Sequence, residues 1–177
     1  AMNGNNVALD SQCFTYILNV MINSIEPVGD LAEEKKALLR SFLYLPNRFY
    51  ITETVVFECK NIRKNEIREL HESFIDHPFE VLQIEDRELV TARANHLMNF
   101  HPRENDCKIL AEAELLNLTH IITYDFDFIK RLENASQIVK LLLPSVYWKS
   151  FDIPKGAIPV TQPRKKNPLS KELWWRW

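Results

Sequence analysis

Glycine is the scarcest useful residue in this chain. Only three occur in 177 residues, Gly4, Gly29 and Gly156, each isolated. A P-loop and a dinucleotide-binding GxGxxG turn both need closely spaced glycines, so both are excluded. Cysteine is equally sparse, with Cys13, Cys59 and Cys107. An odd count without a CxxC pair points away from a disulfide framework and from a zinc knuckle. The three read as reduced thiols of a cytoplasmic protein. No apolar run approaches the length of a membrane span, and no signal peptide is expected. Neither sign of charge dominates. The net charge is −2, which is not the footprint of an electrostatic nucleic-acid binder. The five histidines, His71, His77, His96, His101 and His120, lack ligand spacing and are expected at the surface or at strand edges.

What is present is apolar and patterned. Apolar residues make up 46% of the chain, enough for one domain with a real core plus an extension. The charge is asymmetric. From residue 160 on, Arg164, Lys165, Lys166, Lys171 and Arg176 stand against Glu172, a net of +4 that leaves −6 for the remainder. An acidic body with a basic tail suggests a metal-holding body and a tail that meets phosphate or a partner.

The pattern alternates strand and helix. Val7-Ala8-Leu9 is a short strand ending in Asp10. Phe14, Ile17, Leu18, Met21, Ile22 and Ile25 trace a helix face, broken by Pro27 and Gly29. Helices are expected over 31–45, 53–62 and 67–75, and strands over 49–52 and 80–84. Asp86 caps a helix whose core positions include Leu89, Val90, Ala94 and Leu97. Asp106 opens another, with Ile109, Leu110, Ala113 and Leu116 as its buried stripe. The apolar run 120–123 reads as a parallel strand covered on both faces. A helix over 128–134, a strand over 138–143 and a helical turn from Pro144 to Phe151 follow. This order predicts an α/β domain with a mainly parallel sheet. From Asp152 on, Pro154, Pro159, Pro163 and Pro168 punctuate an extended arm.

Acids stand at the ends of these elements: Asp10, Glu58, Asp106, Asp125 and Asp127. Any one alone reads most simply as a helix cap. Together they say more. Asp10 follows Val-Ala-Leu, and Glu58 sits between Phe57 and Cys59. Burying several carboxylates together is strongly unfavourable unless a cation compensates them. Hard oxygen ligands suit Mg²⁺ or Mn²⁺.

Five segments in this order carry a resemblance. They are Val7-Ala8-Leu9-Asp10-Ser11, Thr52 to Glu58, Asp106 to Ala113, Ile122 to Phe128, and Val139 to Ser145. Over about residues 7–152 the chain resembles the PIN-domain family of metal-dependent ribonucleases, which includes the VapC-type toxins. The resemblance implies a three-layer α/β/α domain over 7–152, after a lead of residues 1–6 that includes the tag-like Ala1-Met2 and before the basic, Trp-rich arm 153–177. It implies an endoribonuclease that holds Mg²⁺ or Mn²⁺ on Asp10, Glu58, Asp106 and either Asp125 or Asp127. Asp125 ranks first because it is nearer the strand end. Ser11 and Thr123 are then expected to orient ligands or water. The resemblance also allows an RNA substrate, an antitoxin protein partner and a homodimer, with no membrane.

Two other readings compete. A haloacid-dehalogenase-type phosphatase needs an acid two residues after the first, and here Gln12 stands there. A PIN-like domain can also serve as a non-catalytic module that binds nucleic acid or protein. In the arm, Leu173-Trp174-Trp175-Arg176-Trp177 marks an interface. It is expected to pack on protein, its own domain or a partner, in preference to stacking on bases beside Arg164, Lys165 and Lys166.

Overall fold

The structure is a computed structural model that describes residues 4–74 and 79–177, with the side chains of 70–78 left aside. Ala1-Met2, the end of the helix expected to reach Ile75, its closing Pro78, and the His71 and His77 side chains lie outside the described residues.

Five strands form one sheet: β1 (Asn6–Leu9), β2 (Arg48–Ile51), β3 (Glu80–Val81), β4 (His120–Ile122) and β5 (Lys140–Leu142). Their order is β3-β2-β1-β4-β5, and every pairing is parallel. Val7 pairs with Phe49 on one side and His120 on the other. Strand β1 therefore lies at the centre, and its Val7, Ala8 and Leu9 are wholly buried. That is why it reads as an unbroken apolar run without alternation.

Eight helices among the described residues surround the sheet, an arrangement consistent with α/β/α layers. They are α1 (Ser11–Asn23), α2 (Ala32–Tyr44), α3 (Glu53–Lys60), α4 (Asn65–Phe74), α5 (Arg87–Leu97), α6 (Glu104–Leu115), α7 (Phe126–Leu132) and α8 (Pro144–Lys149). No helix among the described residues is long and apolar enough to cross a membrane. The chain runs from β1 outward to β2 and β3, then returns across β1 to β4 and β5. The order reverses between β1 and β4. At such a reversal the adjoining loops leave in opposite directions and open a crevice beyond the strand C-termini.

Several expected boundaries move. Helix α1 stops at Asn23, because Ser24 turns into the left-handed region at φ 55° and donates its N–H to Val20. Ile25 therefore lies beyond the helix and is 67% exposed, and Ile22 is exposed as well. Leu89 faces solvent on the first turn of α5. Strand β3 has two residues where five were expected.

The arm is tied to its own domain. Thr161 N–H donates to the Leu43 carbonyl at 2.8 Å. Asn167 Nδ2 donates to the Met21 carbonyl at 2.9 Å, ahead of a 3-10 turn at Pro168–Lys171. Trp175 is fully buried.

Candidate active site

Asp10 follows β1 directly and caps α1. Its Oδ1 accepts the Gln12 N–H at 2.9 Å, and its Oδ2 accepts a short bond from the Thr123 hydroxyl. Both partners favour the ionised form, yet its pKa is raised. Burial is the main cause, and the nearby charges of Asp106 and Asp125 add to it. Thr123 also takes the Asp125 N–H on Oγ1 at 3.0 Å. One hydroxyl therefore couples the end of β1 to the end of β4.

Glu58 comes from α3, and Ser11 donates its hydroxyl to Glu58 Oε1 at 2.9 Å. Burial raises the Glu58 pKa. The Ser11 bond opposes this, and the charges of Asp10, Asp106 and Glu112 reinforce it. Asp106 lies in the first turn of α6, where its charge suits the helix dipole. Burial raises its pKa too, against the opposing effect of His101. Asp125 caps α7, accepting the Asp127 and Phe128 N–H groups at 3.0 and 3.1 Å. Its other oxygen takes Arg103 Nη1 at 3.1 Å.

Asp10, Glu58, Asp106 and Asp125 thus face one another electrostatically from four separate segments at the C-terminal edge of the sheet. Asp127 does not join them. It is exposed and pairs with Arg131 at 2.8 Å, which with His101 and Arg103 holds its carboxyl below the ordinary range. Ser11 and Thr123 each hold a carboxylate. Arg164, Lys165 and Lys166 are exposed on the arm, which packs against α1 and α2.

Two contributors escaped the sequence reading. His101, expected at the surface, is fully buried, and its Nε2 lies 2.7 Å from Asp106 Oδ2. Its Nδ1 makes no hydrogen bond among the described residues and stands 3.8 Å from Asp127 Oδ2. The connection between α5 and α6 places it there, and no periodic signal marks that turn. Glu112 on α6 is also fully buried. It accepts the Thr54 N–H at 3.1 Å and pairs with Arg87 at 3.0 Å. Its setting, Leu110-Ala111-Glu112-Ala113, is the signal that singled out Glu58. The three cysteines are buried free thiols, and burial pushes the pKa of each up.

The donor set facing the crevice is all carboxylate oxygen, which fits a hard divalent cation. Among the described residues, no three His, Cys, Asp or Glu side chains are drawn together closely enough to hold one ion between them. Asp106 and Asp125 are instead engaged by His101 and Arg103. Compared with known proteins, the chain matches no family model and no curated protein sequence.

Proposed function

We propose that the chain is a PIN-type, Mg²⁺- or Mn²⁺-dependent endoribonuclease that hydrolyses RNA phosphodiester bonds. The observation that carries it is the electrostatic proximity of Asp10, Glu58, Asp106 and Asp125 beside the β1/β4 reversal. Three of them have pKa values raised by burial and by one another. Mutual repulsion of this kind is poorly tolerated in a merely structural site and is relieved by a cation.

Asp10, Glu58 and Asp106 would hold the ion, with Asp125 as the fourth acid. A bound Mg²⁺ or Mn²⁺ supplies an activated water at neutral pH and offsets charge on the phosphoryl oxygens. The chain's own groups set the geometry. Thr123 and the Gln12 N–H fix Asp10, Ser11 fixes Glu58, and His101 fixes Asp106. Arg103, exposed at the rim beside Asp125, is placed to meet a phosphate. Phe57 and Phe126, each next in sequence to a site acid, are exposed and suit base stacking.

The test is Asp106→Asn. We expect Mn²⁺-stimulated RNA cleavage to fall by at least about a hundredfold, with the metal-free fold retained. Loss of folding together with activity would make Asp106 structural.

The carboxylates already engaged by His101 and Arg103 favour one rival, a PIN-like module that binds RNA or protein without cutting. Wild-type protein that binds RNA and leaves it intact in Mn²⁺ would establish that rival. An antitoxin partner and a homodimer belong to the nuclease proposal. Co-purification with a small acidic-site-covering protein, or a doubled mass by light scattering, would show them.

A further inference from the structure

Beside the carboxylates lies an open cleft of about 450 Å³, lined by α1, the start of α2, the end of α3 and Tyr124. Ser11 and Glu58 belong to its wall, so it opens directly onto the candidate active site. The volume falls in the range of roughly 300–1,000 Å³ typical of small-ligand pockets. Its lining is mixed. Leu31 and Ile62 supply apolar faces, while Gln12 and Asn19 bring exposed amides to the rim.

Two groups on this wall bear on what the cleft could hold. The Tyr16 hydroxyl is buried and has no hydrogen-bond partner among the described residues. A buried donor left unpaired is costly, so such a group marks a place where a ligand completes the bond. Burial also pushes its pKa up, which keeps the hydroxyl protonated and able to donate. Above the Tyr16 ring, Lys35 Nζ stands 5.6 Å from the centroid and brings a cation to the pocket.

We propose that this cleft is a base-recognition subsite, taking one unpaired nucleobase of the RNA strand whose backbone passes Glu58. The assignment rests on the nuclease reading and names what that site selects. A heterocycle is flat and apolar on its faces and carries donors and acceptors on its edge. Leu31 and Ile62 cover such faces. Amides offer both a donor and an acceptor, and a hydroxyl can serve as either. Gln12, Asn19 and Tyr16 therefore match a base edge. Lys35 meets the flanking phosphate. A paired base cannot enter, because its edge and faces are already occupied in the duplex, so the strand must be single at this position.

The test uses the full chain and short phosphorothioate homopolymers of A, C, G and U, which resist cutting. Binding is read by fluorescence anisotropy in Mg²⁺ over a range of salt. Wild type is expected to favour one base over the weakest by about tenfold. Tyr16→Phe should abolish that preference while leaving the unfolding temperature unchanged or raised. Lys35→Met should weaken all four polymers alike and lower the salt slope by about one. Should Tyr16→Phe fail to fold, Asn19→Ala on the exposed rim gives the same readout. No binding, equal affinity for the four bases, or a preference that survives both substitutions overturns the subsite. Cleavage of unmodified RNA in Mn²⁺ is scored separately. A base preference without cutting defeats the nuclease reading and leaves the subsite standing. Cutting without a preference defeats the subsite alone.

Discussion

Glu58 is a residue whose stability cost and proposed role as a metal ligand point in opposite directions. Burial and the charges of Asp10, Asp106 and Glu112 disfavour its ionised form, and only Ser11 opposes them. A carboxyl whose pKa is raised on folding stabilises the fold at low pH, and that contribution is lost as pH climbs through its raised value. Gln keeps the Ser11 bond and removes the charge. Without metal, Glu58→Gln should therefore unfold at a higher temperature than wild type at pH 7, by about 2 °C for a chain of this size. The gain should shrink as pH falls and vanish below the ordinary carboxylate range. Added Mn²⁺ should raise the wild-type unfolding temperature and leave that of Glu58→Gln nearly unchanged. Thermal unfolding followed by circular dichroism at several pH values, with and without Mn²⁺, checks both statements. A variant less stable than wild type at pH 7 would contradict the electrostatic account. His101 works in the other direction, since it gives half-buried Asp106 a partner. His101→Leu should leave that carboxylate without its bond and cost about 1–3 kcal/mol in urea unfolding.

Helix α6 is the element that assembles the site. It presents Asp106 in its first turn and Glu112 two turns later. Through Glu112 it holds the Thr54 N–H at the start of α3 and Arg87 at the start of α5. The tie to α3 also bears on where Glu58, further along that helix, is held. Glu112→Ala leaves the Thr54 N–H unpaired in a buried setting. It should cost about 2–3 kcal/mol in chemical denaturation and lower RNA cleavage by displacing α3. Arg87→Ala strips the fully buried Glu112 carboxylate of its cation and should itself cost about 3–5 kcal/mol, but it keeps the Thr54 N–H bond and so should leave RNA cleavage less affected than Glu112→Ala does. If the two substitutions lower cleavage equally, Glu112 acts through the salt bridge and not through α3. Elements of this kind were legible in the sequence where one physical signal dominated. Apolar runs bounded by acids gave β1 and β4, and the Asp86 cap gave α5. Asp10 and Glu58 stood out because a carboxylate beside apolar residues is anomalous, and Asp106 and Asp125 because they stand at the ends of elements. His101 was not legible, since its burial comes from a turn between helices and from packing against Phe128, 6.2 Å between ring centroids. The exposure of Ile22 and Leu89 was not legible either, because an apolar stripe does not say where the packing partner ends.

At the scale of the whole molecule, the sheet order and the arm answer different questions. The reversal at β1 and β4 places the acids. The arm covers a flank formed by α1 and α2, packing three tryptophans by three separate devices. Trp175 is buried and donates its indole N–H to the Leu169 carbonyl at 2.9 Å. Trp177 meets Trp148 edge to face at 5.6 Å and donates its indole N–H to the Ile153 carbonyl at 2.7 Å. Arg40 on α2 donates to the carbonyls of Trp175 and Trp174, at 3.0 and 3.4 Å, and lies 5.0 Å from the Trp177 ring centroid. Three tryptophans in four positions thus complete the apolar surface of their own domain, with Arg40 as the clamp. An arm held this way should govern stability, and the RNA contacts should belong to the crevice. Trp175→Ala is expected to cost about 3–5 kcal/mol. Arg40→Lys keeps the charge and loses the planar fork, for about 1 kcal/mol. Removing residues 160–177 should lower the unfolding temperature sharply. In the fraction that stays folded at low temperature, RNA affinity and its salt slope should be unchanged. Arg164, Lys165 and Lys166 provide the counter-test. If the deletion weakens RNA binding and flattens the salt dependence while stability holds, the arm is a nucleic-acid contact. The tryptophan packing would then be secondary to it.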